Sequence, residues 1–108
     1  MKKLILTICL TLLSLAASAQ HFTDGNNLHR RMNSGNHGDT MYAMGFVVGV
    51  VDTVNSFMFC APSNATVGQL YDMVHNYVNN VPADRHLAAD VIVIKVLSAS
   101  FPCPKGNV

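Results

Sequence analysis

Three cysteines, five histidines and a scatter of methionines are the residues of this chain whose types can do chemistry. Thioether and imidazole groups suit copper, so Met32, Met41, Met44, Met58 and Met73 beside the histidines raise metal handling as one use. Their positions argue against it. Most of these methionines fall at core-like helical positions, where Met commonly fills gaps. His21, His29 and His37 make no i, i+4 ligand pair, and His86 and Asp90, four apart, read better as a surface pair or helix-start packing than as a shared metal site. Hydrolysis needs a nucleophile, a base and an orienting group. Asp72 and His75 can approach each other on one helix face, but nothing supplies a third partner, and no serine sits in a nucleophile elbow. There is no glycine loop for phosphate. The expectation is therefore no catalytic residues, no metal and no cofactor.

The cysteines point elsewhere. Lys2 and Lys3, the apolar run Leu4 to Leu15 and the small residues Ala17-Ser18-Ala19 follow the pattern of a cleavable secretory leader. The apolar run is shorter than the ~20 residues a bilayer span needs, and Cys9, preceded by Ile8, is a poor lipid-attachment site. Residues 1–19 are read as the leader and 20–108 as one domain, exported and free of the membrane after cleavage. Cys60 and Cys103 then remain in an oxidising compartment, where pairing is the default. On the chain-entropy model a bridge closing that loop stabilises by roughly 4 kcal/mol.

Four segments must position these residues. Asp24 or Thr23 can cap a short first helix carrying Leu28 and Met32. Asn33 to Asp39 reads as a loop, and a second helix starts at Asp39 or Thr40 and runs towards Cys60. Its nearly all-apolar stretch Met41 to Val51 predicts a helix surrounded by the others. Thr66 and Gln69 form a capping-box pair opening the third helix. Val67, Leu70, Tyr71, Val74, Tyr77, Val78 and Val81 follow the spacing of one buried face, with Asp72, His75, Asn76 and Asn79 on the other. Pro82 ends that helix or opens the next. Val91-Ile92-Val93-Ile94 would suit a strand. The length from Asp84 to Phe101 favours a helix with Leu87, Val91, Ile94 and Phe101 on a common side. The fold class expected is all-α: a small antiparallel bundle of about four helices with one disulfide.

Charge excludes some partners. Once Lys2 and Lys3 leave with the leader, five basic residues face six aspartates, a formal charge of about −1. Without a basic stripe, nucleic acid and anionic membrane are poor partners. Gly45 and Gly49 let two helix backbones approach closely, either within the monomer or across a homodimer seam.

The mature chain resembles the Tai/Rap family of immunity proteins against amidase effectors of type VI secretion. The resemblance rests on Asp24-Gly25-Asn26 with Leu28, Gly45-Phe46, and Gly49-Val50-Val51-Asp52. It continues through Phe59-Cys60 with Pro62, Thr66 with Gln69-Leu70, Tyr77, and Pro82 with Arg85-His86, Ala88 and Ala89. The closing Phe101-Pro102-Cys103-Pro104 completes it. It implies a periplasmic all-α protein, commonly a homodimer, that blocks the active site of a papain-like peptidoglycan amidase. Similar proteins often carry a second cysteine pair where this chain has Met32 and Met41 to Met44, so the loop Ser34 to Asp39 is expected to be freer here.

An inhibitor of this kind acts through its surface. The candidate contact residues are Ser34, Asn36, His37 and Asp39 in the first loop, Ser63 and Asn64 in the turn Ala61 to Ala65, and Asp72, His75, Asn76 and Asn79 on the third helix. The other readings are an exported small helical binding module, including an acid-stress chaperone suggested by the histidines, and copper handling.

Overall fold

A computed structural model describes residues 21–105; the proposed leader, with Cys9, lies outside them. Four helices follow one another, α1 (Gly25–Met32), α2 (His37–Val54), α3 (Val67–Asn80) and α4 (Ala89–Ser100), with a 3₁₀ turn at Pro82–Asp84. No strand occurs among the described residues.

Local chemistry sets most boundaries. The Asp24 carboxylate accepts the Asn27 amide at 2.8 Å and caps α1. Asn36 does the same for α2, accepting the Asp39 amide at 3.1 Å, after Gly35 takes the left-handed turn at φ 73°. The capping box of α3 is complete: the Gln69 amide donates to Thr66 Oγ1 at 3.2 Å and the Thr66 amide to Gln69 Oε1 at 2.9 Å. Pro82 opens the 3₁₀ turn, and Arg85 then reaches back to the carbonyls of Val78 and Asn79 at 2.6 and 3.0 Å. A cation at the carboxyl end of α3 suits that helix's dipole. α4 has no side-chain cap; the Ala89 amide instead donates to Thr23 O at 2.9 Å.

The core draws on every helix: Leu28 and Met32 from α1, Ala43 and Val47 from α2, Leu70, Tyr71, Val74 and Val78 from α3, and Ile92, Val93 and Leu97 from α4. Phe59, outside the helices, is the largest fully buried side chain, and truncating it to alanine would cost about 3–5 kcal/mol.

Four details differ from the sequence expectations. α2 begins at His37, so the loop is short, and it stops at Val54 rather than running to Cys60. α2 is not surrounded, since one of its faces stays open to solvent. On α3, Val67 is exposed, because the first residue of the helix lies beyond the edge of the bundle. On α4 the buried set is Ala89, Ile92, Val93, Val96 and Leu97, a regular i, i+3, i+4, i+7, i+8 stripe. Val91 lies outside that stripe and is exposed, while Ile94 and Phe101 are only half-buried.

Candidate functional site

The disulfide end of the bundle is built from α2, its following turn and the carboxyl end of α4. Cys60 and Cys103 are bonded, S–S 2.04 Å, and the Cys60 amide donates to Phe101 O at 2.8 Å. Between α2 and Cys60 the chain makes a tight turn, Asn55 to Phe59. The Ser56 amide donates to Phe59 O at 2.7 Å, and the Phe57 and Met58 amides both donate to Val54 O at 3.0 Å. Ser98 Oγ donates to Met58 O at 3.1 Å, and Asn55 Oδ1 accepts the Ala61 amide at 3.0 Å. Phe59 is fully buried under this turn, whereas Phe57 is 85% exposed and Met58 55% exposed at its outer side. The next turn exposes Ser63 and Asn64. A shallow recess of about 500 Å³ beside it is lined by Asn64, Gln69, Asp72, Met73 and Phe101, among others.

A polar cluster joins α1 to α3. Asn33 Nδ2 donates to Asn79 Oδ1 at 2.9 Å and to His29 O at 2.6 Å, and Asn33 Oδ1 lies 3.0 Å from His75 Nε2. The His75 ring tilts against Tyr71 with centroids 5.7 Å apart. Loss of hydration, with Arg85 and His75 nearby, pushes the His29 imidazole below its ordinary range. Burial, followed by the charge of Asp72, raises the Tyr71 phenol.

The open face of α2 forms a third surface. A groove of about 400 Å³ runs along Gly45, Phe46, Gly49, Val50, Val54 and Ile94, with Thr53 and Asp90 at its edges. A Cβ placed on Gly45 or Gly49 would meet no heavy atom within 4 Å. These glycines therefore do not serve close packing of α2 within the monomer; they leave a strip of helix backbone facing outward.

The family model for Rap1a immunity proteins matches residues 13–103. The chain belongs to this family. Rap1a immunity proteins are non-enzymatic inhibitors, so this one is not an enzyme and its partner is an effector protein. No curated protein matches the chain.

In this Rap1a bundle the sequence-predicted residues separate into three groups. Asn36 and Asp39 are engaged in the α1–α2 turn: Asn36 caps α2, and Asp39 pairs with Arg31 at 2.8 Å. Ser34 bridges Arg31 O at 3.2 Å and the Asn36 amide at 3.1 Å. The loop is fastened by these internal bonds, and His37 is exposed beside it. His75 and Asn79 come together through Asn33, a residue absent from the sequence-predicted set, with Asn76 exposed nearby. Asn64 and Asp72 both line the recess, and Ser63 precedes Asn64 in the same turn.

Among the described residues no three His, Cys, Asp or Glu side chains gather as a metal site. Met32 is buried and Met44 and Met73 pack against the core, whereas Met41 and Met58 are exposed. Phe57 stands outside α2, which ends at Val54, and is exposed. The run Phe57-Met58-Phe59 carried the signal: three consecutive large apolar side chains in a turn cannot all face one core. No described helix is long and apolar enough to cross a membrane.

Proposed function

We propose that this chain is a periplasmic immunity protein that binds a peptidoglycan amidase effector of type VI secretion and blocks it by occupying its active site. The observation that carries the reading is the Rap1a match across residues 13–103, which takes in all four helices and the disulfide. The leader-like residues 1–19 support export, and the resemblance to immunity proteins paired with amidases supports the target class. Inhibition by occupation needs a stiff scaffold and a complementary surface, and it asks nothing of a catalytic group. The disulfide and the hydrogen-bonded turns supply that stiffness. A homodimer belongs to the same reading, with the Gly45–Gly49 groove as its seam.

The test is protection. An amidase effector from the same strain is directed to the periplasm of a susceptible host, with this chain either exported or retained in the cytoplasm. Rescue from lysis only when the chain is exported is the expected result. Unchanged lysis with every amidase effector of the strain would reject the amidase reading. Sedimentation of the purified protein tests the seam: Gly49→Leu should convert a dimer to a monomer while keeping the helical spectrum.

A further inference from the structure

We infer that the turn Asn55 to Phe59 is the anchor of this protein on its effector, with Phe57 inserting into an apolar recess of the enzyme's substrate cleft and Met58 packing at its rim. The inference rests on the proposed inhibitory function and adds where the contact is made.

Three independent observations converge on this turn. The first is exposure: Phe57 is 85% exposed and Met58 55%, next to a Phe59 that is wholly buried. Large apolar side chains held out in water beside a filled core are the unusual case that calls for a partner. The second is fixation. Ser56 holds φ at 74°, the only non-glycine residue with positive φ among the described residues, a conformation uncommon for a side chain with a Cβ. Such a conformation persists where the surroundings over-determine it, and it is concentrated at binding sites. Here the Ser56–Phe59 and Ser98–Met58 hydrogen bonds and the adjacent disulfide hold it. An aromatic side chain on a backbone that is already ordered loses little entropy on binding, which is what makes a hot spot.

The third observation is composition. From Thr53 to Thr66 there is no charged residue, and the exposed polar side chains of this segment are hydroxyls and amides, among them Ser56, Ser63, Asn64 and Thr66. An aromatic centre, a neutral hydrogen-bonding rim and the absence of charge are the make-up of a protein–protein contact centre. They do not suit an anionic membrane surface, which calls for Lys and Arg beside the apolar anchor. A convex aromatic on a fixed turn fits a concave partner, and an enzyme's substrate cleft is the concave surface that an inhibitor must fill.

The experiment compares the exported, oxidised chain with Phe57→Ala, Met58→Ala and a distant control, the exposed Asn80→Ala at the carboxyl end of α3, titrated against each peptidoglycan amidase effector of the same strain. Hot-spot truncation corresponds to a rise in Kd of about 30-fold or more for Phe57→Ala, and about 5-fold for Met58→Ala. The control should stay within about 3-fold of wild type. Melting temperatures of all variants should lie within about 3 °C of wild type, since the truncated atoms are exposed. Binding should change little between low and high salt, because no charge takes part. Phe57→Ala binding within 3-fold of wild type would overturn this inference and leave the immunity reading intact. Wild-type failure to bind any of the amidases would overturn both. Loss of self-association by Phe57→Ala in sedimentation, or wild-type binding to phosphatidylethanolamine–phosphatidylglycerol vesicles that depends on Phe57, would assign the turn to another partner and overturn the inference.

Discussion

Gly25→Ala is a sharp test of how α1 is docked. The amide of Gly25 donates to Leu87 O at 2.9 Å and that of Asn26 to Arg85 O at 2.7 Å, so the start of α1 lies directly against the turn leading into α4. A Cβ at position 25 would lie 2.7 Å from Arg85 O and 2.8 Å from Arg85 Cα, and would also strike Ile92 Cδ1. A side-chain tip can swing away, but a backbone already hydrogen-bonded on both sides cannot do so cheaply. Overpacking of this kind costs about 1–3 kcal/mol, and weakening two hydrogen bonds adds about 1 kcal/mol each. Against that stands the helix preference of alanine, about 0.5–1 kcal/mol. The net loss is about 2–4.5 kcal/mol. At about 4–8 °C per kcal/mol for a domain of this size, the melting temperature should fall by about 10–35 °C. Gly49→Ala is the internal control. With open space around its Cβ position, it should gain the helix preference alone and melt a few degrees higher in dilute solution. Thermal unfolding by circular dichroism reads both. A Gly25→Ala protein as stable as wild type would refute the close docking of α1 on the Arg85–Leu87 turn.

Three further predictions follow from named contacts. Cys60 and Cys103 lie 43 residues apart, so Cys60→Ser with Cys103→Ser, or reduction, should cost about 2–4 kcal/mol; an unchanged melting curve in reductant would show that the thiols are not bridged. The Lys95 ammonium, 2.7 Å from Asp84 Oδ2, and then the Tyr77 hydroxyl hold the Asp84 carboxyl below the ordinary carboxylate range. The stability this adds is present above the unfolded value of about 3.9 and is lost as pH falls through the lowered folded value. Asp84→Asn should accordingly lower the melting temperature above pH about 5, where that stability is fully present, and its profile should converge on that of wild type along the acid limb. Arg31→Lys should lower stability by about 1 kcal/mol, read as a melting shift of about 4–8 °C, because lysine cannot fork between Asn27 and Asp39 while lying flat on Tyr42.

The helices were legible where their signals are local. Asp24, Thr66 and Gln69 act within three or four residues of themselves, so their caps could be read directly. The register of α4 was not. Val91 to Ile94 offers a β-branched apolar residue in every direction, and which of them goes inward is decided by the helices opposite. The end of α2 was hidden for a similar reason: neither glycine nor proline stands at Asn55 or Ser56, and the stop is enforced by the burial of Phe59 and by Ser98, about 40 residues away in sequence. For the candidate surface, the sequence offered only polar residues, of which Asn64 and Asp72 line the recess; the exposure of Phe57 is set by where α2 stops, which no local signal marks.

The two ends of the bundle are fastened by different means, and this ranks the candidate surfaces. At the α1–α2 end the guanidinium of Arg31 bonds Asn27 at 2.9 Å and Asp39 at 2.8 Å and lies 3.9 Å over the Tyr42 ring, while Tyr42 OH meets Thr23 Oγ1 at 3.1 Å. Those contacts are made by side chains, and so are the bonds of Ser34, Asn36, Asn33 and His75. A partner binding there must exchange internal hydrogen bonds for intermolecular ones, which returns little net free energy. At the opposite end the fastening is by backbone hydrogen bonds, a disulfide and the inward side chains of Ser98 and Asn55, so the outward side chains of Phe57, Met58, Ser63 and Asn64 are left uncommitted. A partner there buries apolar area at about 25 cal/mol per Å² without breaking anything in the bundle. For a small inhibitor that works by occupying a cleft, the favoured surface is the one whose backbone is already fixed and whose side chains are still free.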